Sequence, residues 1–173
     1  MISVTREERE WFLQNLAHGL VDYTGAAEPP VPVEGLLRHP PTVYEFDFGV
    51  VDMYSNLWDA TFARPPSRRG SVFVRVDLPP RERRYALARE CLSALITSRH
   101  GREMGLGGMF MDHLQDSADY FARHLLAPDH MLGAYHQHDE KNTELAESFV
   151  MTEKAAQLRL QEYELKPRKS ELI

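Results

Sequence analysis

Cysteine is nearly missing from this chain, with one residue, Cys91, in 173. A lone thiol cannot build a disulfide framework, and its place among Leu87, Leu92 and Leu95 suits a buried, reduced side chain. A catalytic thiolate needs a neighbouring base or a helix N-terminus, which a mid-helix position does not supply. No stretch approaches the ~20 apolar residues of a membrane span. The first residues carry Arg6, Glu7 and Glu8 where a secretory leader would be apolar. A cytoplasmic protein without membrane attachment is therefore expected. Positive charge is in deficit, with a formal net charge of -6, which disfavours sequence-wide nucleic-acid binding. The basic end, Lys166, Arg168 and Lys169, reads as a solvated tail. There is no internal repeat and no phosphate loop. The glycine-rich stretch from Gly101 to Gly108 has no leading strand and no following Lys-Ser/Thr, so it reads as a flexible loop.

A hydrophobic content of 43% suffices for one core. The chain is read as a main domain over 1–138 with closing helices over 139–173 packed on it. Thr5-Arg-Glu-Glu8 is a capping box, and Trp11, Phe12, Leu16, Leu20 and Tyr23 form the expected inner face of a first helix that Gly25 stops. A short helical turn before His39-Pro-Pro41 follows. β-prone runs at Thr42 to Phe48, Trp58 to Ala63 and Ser71 to Val76 predict a small three-stranded antiparallel sheet. A long helix is predicted from Arg81 to His100, another from Asp112 to Leu126, and two short ones from Thr143 to Phe149 and from Thr152 to Tyr163.

The long helix carries the informative residues. Within Tyr85-Ala-Leu-Ala-Arg-Glu-Cys-Leu-Ser-Ala-Leu-Ile96, positions 89 and 93 stand one turn apart with Glu90 beside them, so Arg89, Glu90 and Ser93 share one polar patch. Charge there must pair, meet a partner or line a cleft. The spacing is that of the zinc-peptidase helix His-Glu-x-x-His, but with Arg89 and Ser93 in the ligand places. Arginine has no lone pair to donate, and a neutral serine hydroxyl is a poor zinc ligand.

Pro30-Val-Pro-Val-Glu34, Gly70-Ser-Val-Phe-Val-Arg-Val76, Arg83-Arg-Tyr-Ala-Leu-Ala-Arg-Glu90, Ala118-Asp-Tyr-Phe-Ala-Arg-His-Leu-Leu-Ala-Pro128 and Leu145-Ala-Glu-Ser-Phe-Val-Met-Thr152 follow one another in an order that resembles the ImmA/IrrE family. These are bacterial and phage metallopeptidases that cut repressor or regulator proteins. The resemblance implies an α+β, zincin-like fold with an N-terminal helix, a small sheet, two cleft helices and a helical tail. It also implies a third metal ligand on the second cleft helix, at Gln115 or, with a register shift, at Asp116, and a supporting acid one turn on, at Asp119. Zinc is the family's metal, yet Arg89, Ser93 and Gln115 replace its three ligands here, so no cofactor is expected. Glu90 is then a vestigial general base, and Arg89 a built-in cation pairing with Glu90 and Asp119.

The function expected from this is a catalytically inactive regulator that binds a protein partner, a helix-turn-helix repressor by resemblance, through the former active-site cleft. An alternative is a divergent zinc peptidase that recruits Asp116 with His100, His113 or His124. A third is a DNA-binding regulator using Lys154, Arg159 and Lys166 on the closing helices, although Glu153 set against Lys154 disfavours it. His130, His136 and His138 with Asp139 and Glu140 form a separate histidine-rich segment able to take zinc or nickel. Met104, Met109, Phe110 and Met111 are read as core or as an adaptable lip for a peptide.

Overall fold

The computed structural model describes residues 4–55, 57–135 and 141–166. His136, His138, Asp139, Glu140, Arg168 and Lys169 lie outside them. The architecture is α+β. Helix α1 (Arg6–Thr24) opens with the capping box: Thr5 accepts from the Glu8 N–H while the Glu8 carboxylate receives the Thr5 N–H. Its buried stripe is Leu13, Ala17, Leu20 and Val21, with Phe12 and Leu16 packed against the core. Trp11 (65% exposed) and Tyr23 (52%) fall outside it. The inner face is therefore rotated by about one residue, roughly 100°, from the predicted one. Helix α2 (Val33–Arg38) follows.

The predicted first strand is not one. Thr42–Tyr44 forms a 3-10 turn, and the Phe48 N–H bonds back to the Tyr44 carbonyl at 3.0 Å. The Tyr44 and Phe48 rings stack at 4.9 Å. Residues four apart in a strand are about 13 Å apart, so this stacking requires a coiled turn. Asp47, buried and paired with Arg64 at 2.6 Å, fixes the turn. The strands are β1 (Val50–Met53), β2 (Ala60–Ala63) and β3 (Ser71–Arg75), in the order β1-β3-β2. The sheet is mixed rather than antiparallel: β1 runs parallel to β3, and β2 antiparallel to it. Val72 and Val74 of the central strand are fully buried in the core that α3 (Pro80–Thr97) shares.

The stretch read as a flexible loop is helical, with α4 (Arg99–Glu103) and α5 (Leu106–Phe110) separated by Gly105 at φ 73°. Ser98 caps α4 by accepting from the Gly101 N–H at 2.8 Å. Gly101 is demanded by close approach, because a Cβ there would stand 2.0 Å from the Leu95 carbonyl oxygen. Phe110 is core, whereas Met104 and Met111 are exposed. A 3-10 turn, Met111–His113, leads into α6 (Leu114–Leu126), which starts two residues later than predicted. Helices α1, α3 and α6 pack on one another around Leu92, Phe121, Leu125 and Leu13, each fully buried. Each such side chain contributes roughly 2 kcal/mol of apolar burial. Short α7 (Asp129–Leu132) precedes α8 (Lys141–Ser148) and α9 (Glu153–Glu164), the last capped by Thr152. Arg84 of α3 clamps the α8–α9 connection, donating to the carbonyls of Val31, Phe149 and Val150. No described helix is long and apolar enough to cross a membrane.

Candidate functional site

Glu82, Tyr85, Ala86, Arg89 and Glu90 recur at helical spacing along one stripe of α3 and face a cleft of about 440 Å³. Its other walls are Trp58 to Thr61 at the start of β2, Gln115 on α6 and Thr152 at the cap of α9. The structure thus brings Arg89, Glu90 and Gln115 to one place. Asp119 joins them through Arg89, whose Nε lies 2.7 Å from Asp119 Oδ1 while Nη2 donates to Gln115 Oε1 at 2.5 Å. Arg89 thus spans α3 and α6, with an ion pair to one residue of α6 and a hydrogen bond to another. Tyr85 completes the cluster, its hydroxyl donating to Asp119 Oδ1 at 2.9 Å. Burial first, and then the Asp119 charge, push the Tyr85 phenol up to about 12, so it stays protonated and a donor.

Glu90 does not pair with Arg89 as the sequence suggests. Its Oε2 accepts the backbone N–H of Phe62 at 3.0 Å. Adjacent helix positions diverge by about 100°, which turns Glu90 toward β2 and Arg89 toward α6. The β2 edge explains the need. The Arg75 N–H bonds to the Asp59 carbonyl, and pairing then alternates through Thr61 and Ala63, so Ala60 and Phe62 present their backbone groups away from β3. Glu90 satisfies one of these edge groups.

Other predicted residues sit elsewhere. Ser93 is half-buried one turn beyond the cleft, and its described contact is a carbonyl accepting from the Thr97 hydroxyl. Asp116 and His113 are exposed and outside the cleft wall, while His100 is engaged with the Tyr44 hydroxyl through Nδ1 at 2.9 Å. His130 is exposed on α7. Cys91 is fully buried, and burial pushes its thiol well above the usual range. The donor set does not fit a zinc ion: Arg89 repels it, the Gln115 oxygen is occupied by Arg89, and a neutral serine hydroxyl such as that of Ser93 is a poor zinc ligand. Arg159, expected to reach phosphate, is fully buried, with Nε on the Ala127 carbonyl and Nη2 on Asp129.

Sequence reasoning missed Trp58, 60% exposed on the cleft wall, and the Tyr85 hydroxyl. It also missed a second polar cluster, in which His18 of α1, His124 of α6 and Asp129 of α7 converge beneath α9. The only sequence signal was a histidine within each of two amphipathic helices.

Compared with known proteins, residues 38–161 match the Peptidase_M78 model, described as the IrrE N-terminal-like domain. No curated protein matches the chain. A solved Mycobacterium tuberculosis transcriptional regulator superposes with a TM-score of 0.63 at 18% identity, over 92% of this chain and 49% of that one. The likeness carries the fold, and this chain spans about half the length of that regulator.

Proposed function

Because the chain belongs to the IrrE N-terminal-like domain family, we propose that it is a catalytically inactive member that regulates by docking a protein partner in the former active-site cleft. In this reading residues 1–138 form the peptidase-like body and 139–173 the helices packed on it. The observation that carries the proposal is the Arg89 guanidinium held between Asp119 and Gln115, at the positions that the family resemblance assigns to metal binding. A zinc peptidase needs three lone-pair donors and an open position to polarise water. Here a permanent cation occupies the centre and its neighbours spend their oxygens on it. Glu90, the residue that would take a proton from water, is bound to a strand N–H instead.

What remains is suited to binding. The free edge of β2 offers the backbone groups of Ala60 and the carbonyl of Phe62 to an extended segment, and Trp58 beside it gives an apolar anchor. The partner is a regulator of transcription, a helix-turn-helix repressor by family resemblance, and the architecture shared with a transcriptional regulator fits that role.

The test takes a helix-turn-helix repressor as the candidate partner and follows binding by calorimetry and cleavage by electrophoresis. Wild type is expected to bind without cutting, and Trp58→Ala to weaken binding at least tenfold, as loss of a buried aromatic anchor does. Chelator-sensitive cutting of the repressor, or its loss in Glu90→Gln, would refute inactivity. Affinity unchanged by Trp58→Ala would refute docking in the cleft.

A further inference from the structure

His124 is completely buried, and neither of its ring nitrogens has a hydrogen-bond partner. Beside it, His18 Nε2 is likewise buried without a partner. One donor atom each from His18, His124 and Asp129 lies within 4.8 Å of the others. Orphaned buried imidazole nitrogens are uncommon because each forfeits its hydration with nothing in return. Here each histidine brings a ring nitrogen close to the Asp129 carboxylate, within the span that one bound ion can bridge.

We propose that His18, His124 and Asp129 form a site for a divalent transition-metal ion of the zinc type. Two imidazoles and a carboxylate are a donor set that zinc accepts with a fourth position left for water. Tetrahedral ligands about 2.1 Å from a metal stand about 3.4 Å apart, so the three groups, all within 4.8 Å of one another, need close by no more than about 1.4 Å on binding. They come from α1, α6 and α7, and the ion would join three elements that meet only in the folded chain. Burial lowers the proton affinity of both histidines, keeping their lone pairs free at neutral pH. Glu162 on α9 stands 3.5 Å from His124 Nε2 and supplies the supporting carboxylate that ligating histidines commonly have.

Asp129 is held at present by two cations. Arg159 binds Oδ1, and Lys166 binds Oδ2 together with the Gln14 amide. Arg159 is sealed in, whereas the Lys166 side chain is 33% exposed. Lys166 is therefore the group that a metal displaces into water. The site does not involve Arg89 or Glu90 and stands independently of the reading of the cleft.

The experiment is zinc titration of untagged full-length protein, stripped by chelator, against a chromophoric competitor, with the thermal midpoint followed in parallel. One equivalent is expected, with a rise in the midpoint. His18→Ala, at a half-buried position that tolerates truncation, should abolish uptake, and Glu162→Gln should weaken it by about tenfold. Lys166→Ala should tighten it by removing the competitor. Glu90→Gln, and His136→Ala with His138→Ala, should leave it unchanged. No uptake, uptake that survives His18→Ala, or uptake lost with His136 and His138 would overturn the site. Surviving uptake that disappears with Glu90→Gln would overturn the inactive reading of the cleft as well.

Discussion

On one side of α6, Gln115 and Asp119 meet Arg89 in a half-open cleft; on the other, His124 is sealed beneath α1 and α9 beside Asp129 and Arg159. In the cleft the Arg89 guanidinium is shared between the Asp119 carboxylate and the Gln115 amide, and water reaches the ion pair, with 30% and 40% of the two side chains exposed. In the other cluster His124 and Arg159 are closed off from water, only the Asp129 and Lys166 side chains reach it in part, and imidazole nitrogens are left over. A motif in the expected place can thus be paired within itself, while a cluster with no motif is the one whose imidazole nitrogens lack partners. The energetic weights differ too, because an ion pair at the surface is screened and one in the interior is not.

The harshest way to break that contrast is Arg159→Met. Removing one partner of a buried pair leaves Asp129 with the partly exposed Lys166 and the neutral Gln14 amide, and about 3 kcal/mol of stability should be lost, measured by urea unfolding. A loss no larger than that of a cleft variant would erase the distinction.

Acid sharpens it next. Burial, outweighing the Glu162 carboxylate 3.5 Å away, pushes His124 down from 6.5 to about 4. The unfolded chain then binds the proton more readily than the folded one. Stability from this group is complete above pH 6.5 and falls as pH drops from 6.5 to 4, by about 3 kcal/mol in all. Asp129 follows at lower pH. Lys166 and Arg159 overcome its burial and hold it near 2, so its contribution, intact above about 4, disappears as pH falls from 4 to 2. Thermal midpoints across this range should show both steps, with the first flattened in His124→Gln.

The mildest change is expected in the cleft. Arg89→Ala removes a solvent-screened pair, and Tyr85 still donates to Asp119, so the cost should be about 1 kcal/mol or less by urea unfolding. A larger loss would mean that the cleft pair ties α3 to α6 as firmly as the interior cluster ties α9 to α7.

Local patterns carried much of the architecture. The Thr5–Glu8 box, the polar stripe through Arg89 and the Thr152 cap depend on residues within a turn of one another, and they stand where the sequence puts them. The β-rich composition of Thr42 to Phe48 misled because Asp47 finds Arg64 and Tyr44 stacks on Phe48, contacts that outweigh propensity. The glycines from 101 to 108 misled in the other direction, since Gly101 is a packing glycine under the Leu95 carbonyl rather than a sign of mobility.

The site divides along the same line. Residue chemistry alone established that Arg89, Ser93 and Gln115 make a poor zinc ligand set, because a lone pair is a property of the side chain and not of its surroundings. Only the tertiary structure decided where each charge goes: Arg89 to Asp119, Glu90 to a strand edge, Arg159 inward to Asp129. The meeting of His18 with His124 and Asp129 was likewise hidden, since helical pitch orients a residue on its own helix and says nothing about which distant helix will pack against it.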